Sequence, residues 1–275
     1  MLDVSVIIVS FNTNNLTLKC IESVMNEGSE LKIEIIVVDN DSTDGSVFAI
    51  RKYFDSYQKG NIRFKLIENS ENLGFAKANN QGIKVAGGKY ILLLNSDTNV
   101  SKDAIKRLVD FTKTRDDIGV VVPKLINKDG SIQGSVFKFP GIARAINQYW
   151  LGKSRIMDKY APSGVLPCEI EAATMAVFLI TPLAKNRVGL LDERYFMYFE
   201  DLDYCRKVMR AGLKVYYLPK VKVIHYHGES GKVLSDNENQ WRRLIPPSKI
   251  YHGIIKHHLL YFILHSSQIW KKLKN

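Results

Sequence analysis

The chain reads as an α/β protein built on a mainly parallel, doubly wound sheet, and three observations predict it. Apolar runs of five or six residues recur without alternation, the pattern of strands covered on both faces. Amphipathic helical segments separate them, so the first half alternates strand and helix. Three of the runs stop on short polar side chains, at Ser10, Asp39 and Asn95. Such stops deliver polar groups to the carboxyl edge of an open sheet, where ligands bind.

The elements follow in order. Val4–Val9 is a strand, and Leu16–Met25 an amphipathic helix with Thr13 or Asn14 as its cap. Ile33–Val38 is the second strand, and Asp41-Ser42-Thr43-Asp44-Gly45 leads into a helix over Ser46–Tyr57. Phe64–Ile67 is a short strand, and Phe75–Val85 a helix ended by Gly87-Gly88. Tyr90–Leu94 is the fourth strand, followed by a helix from Ser101 to about Thr114. After Gly119–Val122 the rhythm breaks. Ser131–Phe139 alternates like an antiparallel strand, residues 140–168 are a poorly patterned insertion, and Thr174–Thr181 is β-prone. Leu202–Ala211 reads as a helix closed by Gly212, with Lys214–Leu218 and Val221–Ile224 as two strands.

Composition narrows the class. An apolar fraction of 45% over 275 residues is enough for a sizeable core. Cys20, Cys168 and Cys205 are far apart and odd in number, so they read as buried structural thiols in a reducing compartment. Met1-Leu2-Asp3 leads straight into a strand, so no signal peptide is expected and the cytoplasm is the expected location. Of the net charge of +11, seven charges fall in the last 37 residues, which hold no acid. That basic tail points to an anionic partner, with a solvated basic face as the alternative.

The carboxyl-edge residues carry the chemistry. No glycine-rich dinucleotide or P-loop sequence follows the first strand, which ends in Ser10-Phe11-Asn12. Asp39 and Asp97 put carboxylates on one edge, suited to a nucleotide and a divalent cation on its phosphates, although Asn95-Ser96-Asp97 also reads as a helix cap. Asn72, Gly74, Lys77, Asn79 and Asn80 open a helix with a permissive turn, a cation and amide donors. The aromatic block 195–199 delivers Glu200 and Asp201 to a helix start, where a carboxylate can serve as general base or simply complement the helix dipole. His225 ends the last strand as a metal-ligand candidate, with His227 as its backup and a structural role as the alternative.

The ordered series Val9-Ser-Phe-Asn12, Val38-Asp-Asn-Asp-Ser-Thr-Asp-Gly-Ser46, Asn72–Gly82 and Leu93-Leu-Asn-Ser-Asp97 resembles the inverting family-2 glycosyltransferases. Residues 189–206, Pro219 and His225-x-x-Gly-x-Ser resemble its rhamnosyltransferase branch, and the likeness runs from about residue 3 to 230. The resemblance implies a GT-A fold, a Rossmann-like, mainly parallel mixed sheet flanked by helices, over 1–235. Its 1–118 half would take the nucleotide and its 119–235 half the acceptor, with 236–275 a basic helical tail.

It also implies transfer of a sugar, rhamnose favoured, from a nucleotide diphosphate such as dTDP-rhamnose or a UDP-sugar to a hydroxyl of a lipid-linked glycan of the cell envelope. On that basis Asp39 contacts the base, and Ser10, Asn12, Asn72, Gly74, Lys77, Asn79, Asn95 and Ser96 belong to the donor site. Asp97 and His225 hold Mn2+ or Mg2+, Asp201 is the general base, and Glu200 steers the acceptor. Two departures stand out: Asn95 replaces the first acid of an Asp-x-Asp metal motif, and Glu171-Ala-Ala-Thr-Met175 lacks the usual glycine. The weakened metal motif motivates an alternative, a catalytically inactive carbohydrate- or nucleotide-sugar-binding relative. A nucleotidyltransferase would need a glycine-rich basic first loop, absent at 10–15, and nucleic-acid binding leaves the cleft carboxylates unexplained.

Residues 248–274 resemble the C-terminal region of the rhamnosyltransferase branch, and the longest apolar run there is Leu259–Leu264. Six residues are far short of the roughly 20 that span a bilayer. The apolar positions do not fall on one clean face. Peripheral attachment to an anionic membrane surface at the inner face of the cell membrane is the expectation, with packing on the domain or on a second subunit as the alternative.

Overall fold

The computed structural model describes all residues except 1, 29, 58–61, 154–155, 227–239 and 275, and the side chains of 240, 241 and 274. Six strands run parallel: β1 (Val4–Ser10), β2 (Ile33–Asp39), β3 (Arg63–Glu68), β4 (Tyr90–Asn95), β6 (Ile118–Ile126) and β11 (Lys214–His225). Between β4 and β6 lies the antiparallel β10 (Val177–Ile180), and β5 (Thr98–Val100) pairs antiparallel with β11. The order across the sheet is β3-β2-β1-β4-β10-β6-β11-β5, with β8 (Cys168–Ile170) on the side of β11. A second small sheet pairs β7 (Val136–Phe137) with β9 (Ala172–Ala173).

Alternate residues of each strand feed two cores. Val4, Val6 and Ile8 pack with α1 (Asn14–Met25), α2 (Ser46–Ser56) and α4 (Ala104–Thr112) on one face. Ile7, Ile36 and Leu93 pack with α3 (Phe75–Val85), α6 (Pro182–Val188) and α7 (Glu200–Arg210) on the other. Burial on both faces is why these strands are continuous apolar runs. The remaining helices are α5 (Ile142–Tyr149), α8 (Gln240–Arg243), α9 (Ile245–His252) and α10 (Ile254–Lys274). Tyr251 of α9 is buried in the α7-side core, so the C-terminal segment is packed into the domain there.

Several expectations are corrected. Residues 98–100 form β5, and the helix starts only at Ala104, so Asn95-Ser96-Asp97 does not cap it. The strand expected over 131–139 shrinks to two residues, and the insertion contains α5. Lys214 to His225 is one strand, with a register shift between Leu218 and Lys222. Pro219 lies inside that shift, where a missing backbone donor is tolerated. Cys20 and Cys205 are buried, whereas Cys168 is half-buried.

Candidate active site

Strand register builds the floor of the site. Ser10 is level with Asp39, and Val9 with Asn95, so the polar ends of β1, β2 and β4 emerge along one edge. His225 is 128 positions from Asp97 in the chain, yet β5 folds back beside β11 and sets Thr98 opposite His225. The Tyr226 amide then donates to the Asp97 carbonyl at 2.8 Å.

That pairing brings His225 Nε2 to 3.3 Å from Asp97 Oδ1, with Asn95 Nδ2 at 3.4 Å from the same nitrogen. Gln133, which no local pattern singles out, accepts from His225 Nδ1 at 2.7 Å through Oε1. Its own amide nitrogen donates to Asn127 Oδ1 at 2.8 Å, which fixes the direction of the amide. The imidazole therefore presents Nε2 toward Asp97. Asp97 is 2% exposed, and its Oδ1 has no hydrogen-bond donor. A carboxylate and an imidazole nitrogen converging in a buried corner fit a divalent cation whose other ligands are substrate phosphates. Among the described residues there is no group of three or more His, Cys, Asp or Glu placed to hold a metal ion. His227 lies outside the described residues.

Asp97 and His225 open onto a cleft of about 790 Å³ that also holds Asn72, Gly74, Asn95, Ser96, Glu200 and Asp201. Ser10, Asn12, Asp39, Lys77 and Asn79 do not line it. Asn12 and Asp39 organise the loop beside it instead: Asn12 Oδ1 accepts from the Thr43 amide at 2.8 Å, and Asp39 Oδ1 from the Ser42 amide at 2.8 Å. Asp39 Oδ2 is buried without a hydrogen-bond donor. Ser10 Oγ is spent on Thr17 at 3.1 Å, and Asn79 Nδ2 on the Phe75 carbonyl at 2.9 Å. Lys77 is exposed on the outer face of α3.

The far wall is the aromatic loop before α7. Tyr198 and Phe199 have φ of 72° and 69°, strained values for non-glycine residues, and they turn the chain so that Glu200 and Asp201 enter the cleft. The loop is anchored on α3, where the Phe75 amide donates to the Phe196 carbonyl at 2.7 Å. Glu200 is buried and Asp201 half-buried. Burial raises both carboxyl pKa values, and the neighbouring Asp201 charge raises Glu200 further. The Leu202 amide donates to Asp201 Oδ1 at 2.7 Å, and the charge of Lys159 favours the Asp201 carboxylate, so Asp201 is the readier of the two to ionise. Lys159 and Lys138 line the same cleft, in or beside the insertion where no pattern could single them out. Glu171, at the position of the missing glycine motif, binds Arg144 at 2.6 and 2.7 Å and so ties α5 to this wall.

A mostly parallel, helix-flanked sheet whose polar strand ends line one cleft with a facing pair of carboxylates has the architecture of the GT-A glycosyltransferase fold. The solved structure of GalNAc-T7 with UDP, GalNAc and Mn2+ shares the fold at a TM-score of 0.64 and 19% identity, over 82% of this chain and 43% of that one. The chain belongs to glycosyl transferase family 2, whose family model matches residues 5–163. N-acetylglucosaminyl-diphospho-decaprenol L-rhamnosyltransferase of Mycobacterium tuberculosis is 26% identical to it over 221 residues, 74% of this chain and 69% of that protein. An uncharacterized glycosyltransferase of Haemophilus influenzae is 30% identical over 92% of this chain and 75% of its own length. Among the described residues no helix is long and apolar enough to cross a membrane.

Proposed function

We propose that the protein is an inverting, metal-dependent glycosyltransferase that moves a sugar, rhamnose favoured, from a nucleotide diphosphate to a hydroxyl of a lipid-linked glycan in cell-envelope biosynthesis. The observation that carries this reading is the meeting of Asp97 and His225 with Glu200 and Asp201 on one cleft. The likeness to a rhamnosyltransferase favours the dTDP-rhamnose donor over UDP-sugars.

The donor diphosphate lies against Asp97 and His225, with Asn72, Gly74, Asn95 and Ser96 along it. Asp39, Ser10 and Asn12 shape the pocket for the nucleoside, while Lys77 and Asn79 stay outside that contact set. Asp97 and His225 would hold Mn2+ or Mg2+, which would neutralise charge on the departing nucleotide diphosphate. The acceptor hydroxyl approaches from the α7 side. Asp201 takes its proton as the oxygen attacks the anomeric carbon, and the bond from that carbon to the diphosphate oxygen breaks on the opposite face. Glu200, less ready to ionise, donates a hydrogen bond to the acceptor and orients it.

Asp201→Asn is expected to lower turnover about 10²- to 10⁴-fold, the usual worth of a general base, and to leave donor affinity within about twofold. Wild-type turnover in that variant removes Asp201 as the base. A panel of dTDP-rhamnose, UDP-galactofuranose and UDP-hexoses, read by thermal stabilisation and Mn2+-dependent donor hydrolysis, identifies the donor. Stabilisation by a donor with no hydrolysis or transfer of any sugar points to the inactive binding relative instead.

A further inference from the structure

Helix α10 is apolar on two opposite faces, and only one of them is covered. The covered face, carrying the buried His257 and Ser267 with Leu260 and Leu264 between them, packs against α5 and α9. On the opposite face Ile255, Leu259, Phe262, Ile269 and Leu273 are 79, 46, 68, 48 and 76% exposed. Their spacing of three, four and seven residues keeps them on one line down the helix, about 27 Å long. This single stripe was hidden in the sequence because the residues of the packed face, apolar as well, blur it.

The borders of the stripe say what covers it. At helical spacing, His258, His265 and Lys272 follow one border, and Lys256 and Trp270 the other; the helix contains no acidic residue. The Trp270 ring stacks on Trp150 at 6.4 Å, and Trp150 Nε1 donates to the Ile263 carbonyl at 3.2 Å, so the half-exposed Trp150 and the exposed Leu151 extend the surface beyond α5. A second copy seated on the stripe through a two-fold axis would set basic border against basic border. An anionic bilayer instead offers hydrocarbon to the stripe, phosphate to the lysines and an interface suited to indoles. We propose that the Ile255–Leu273 stripe, flanked by Trp150 and Trp270, is the face by which the protein lies on an anionic lipid surface.

The proposal stands apart from the transfer chemistry, because vesicle binding is read directly. Full-length protein should sediment with phosphatidylcholine vesicles containing phosphatidylglycerol, less so at high salt, and weakly with phosphatidylcholine alone. Phe262→Asp with Ile269→Asp, both at exposed positions, should lower vesicle partitioning about tenfold or more, with melting temperature and donor hydrolysis unchanged. Lys256→Glu with Lys272→Glu should remove the preference for anionic lipid. Equal partitioning of wild type and the aspartate variant overturns the proposal. So does a dimer in analytical ultracentrifugation that Phe262→Asp dissociates while no vesicle binds, an outcome that assigns the stripe to a second copy.

Discussion

Gln133 decides how His225 meets the cleft. A neutral imidazole has one donor and one acceptor nitrogen, and the partner of one fixes the role of the other. With Oε1 of Gln133 accepting from Nδ1, the acceptor nitrogen is the one beside Asp97. Gln133→Met keeps the volume and removes the acceptor, so Mn2+ affinity measured by calorimetry should fall about tenfold or more. Gln133→Glu keeps an acceptor, and the Asn127 amide can turn its nitrogen toward it, so affinity should return to near wild type. A merely structural Gln133 predicts the opposite order, since a charge at this half-buried position would disrupt its surroundings more than methionine does.

At the level of elements, the α3 N-terminus is tied to the aromatic loop before α7 by the bond from the Phe75 amide to the Phe196 carbonyl. Gly74 has φ 83° and ψ 171°, a region open in practice to glycine alone, and a Cβ there would stand 2.5 Å from the Phe196 carbonyl. Gly74→Ala should cost on the order of 2–4 kcal/mol and lower the melting temperature by about 5–15 °C. Gly141→Ala, with open space around it and an extended backbone, should be close to neutral. Equal shifts for the two variants would show that the loop contact does not constrain this turn.

The same contact marks what the sequence shows of the fold. Strands buried on both faces and their polar stops are local signals, and β1, β2, β4 and the placements of Asn95 and Asp97 were legible from them, while the aromatic block at a helix start marked Glu200 and Asp201. Three-residue β5, the passage of β11 through Pro219, and the reach of Gln133 and Lys159 into the cleft depend on partners far along the chain, and no local pattern carries them. Asn79 shows the converse limit: an amide at a helix start resembles a ligand donor until its own helix claims it.

Across the whole molecule, the C-terminal helices are fastened to α7 and the loop before it through a patch of rings and cations. The Arg206 guanidinium lies 4.0 Å from the Tyr251 ring centroid and binds Asp203 at 2.8 Å, while Phe199 packs against both Tyr251 and His252. Burial, then the charges of Lys256, Arg206 and His257, push the His252 pKa down to about 4. A base with a depressed folded pKa is neutral in the fold, so above its ordinary value near 6.5 its protonation takes nothing from stability. Between about pH 6.5 and pH 4 the unfolded chain takes up a proton that the folded chain refuses, and stability falls, by about 3 kcal/mol at most. Glu200 and Asp201, with raised pKa values, act in the opposite sense over the same descent, so the wild-type profile alone mixes the two. His252→Gln isolates the histidine. Urea midpoints taken from pH 7 to pH 4.5 should fall more steeply for wild type than for His252→Gln, and parallel profiles would remove His252 as an acid-sensitive fastening between the C-terminal helices and α7.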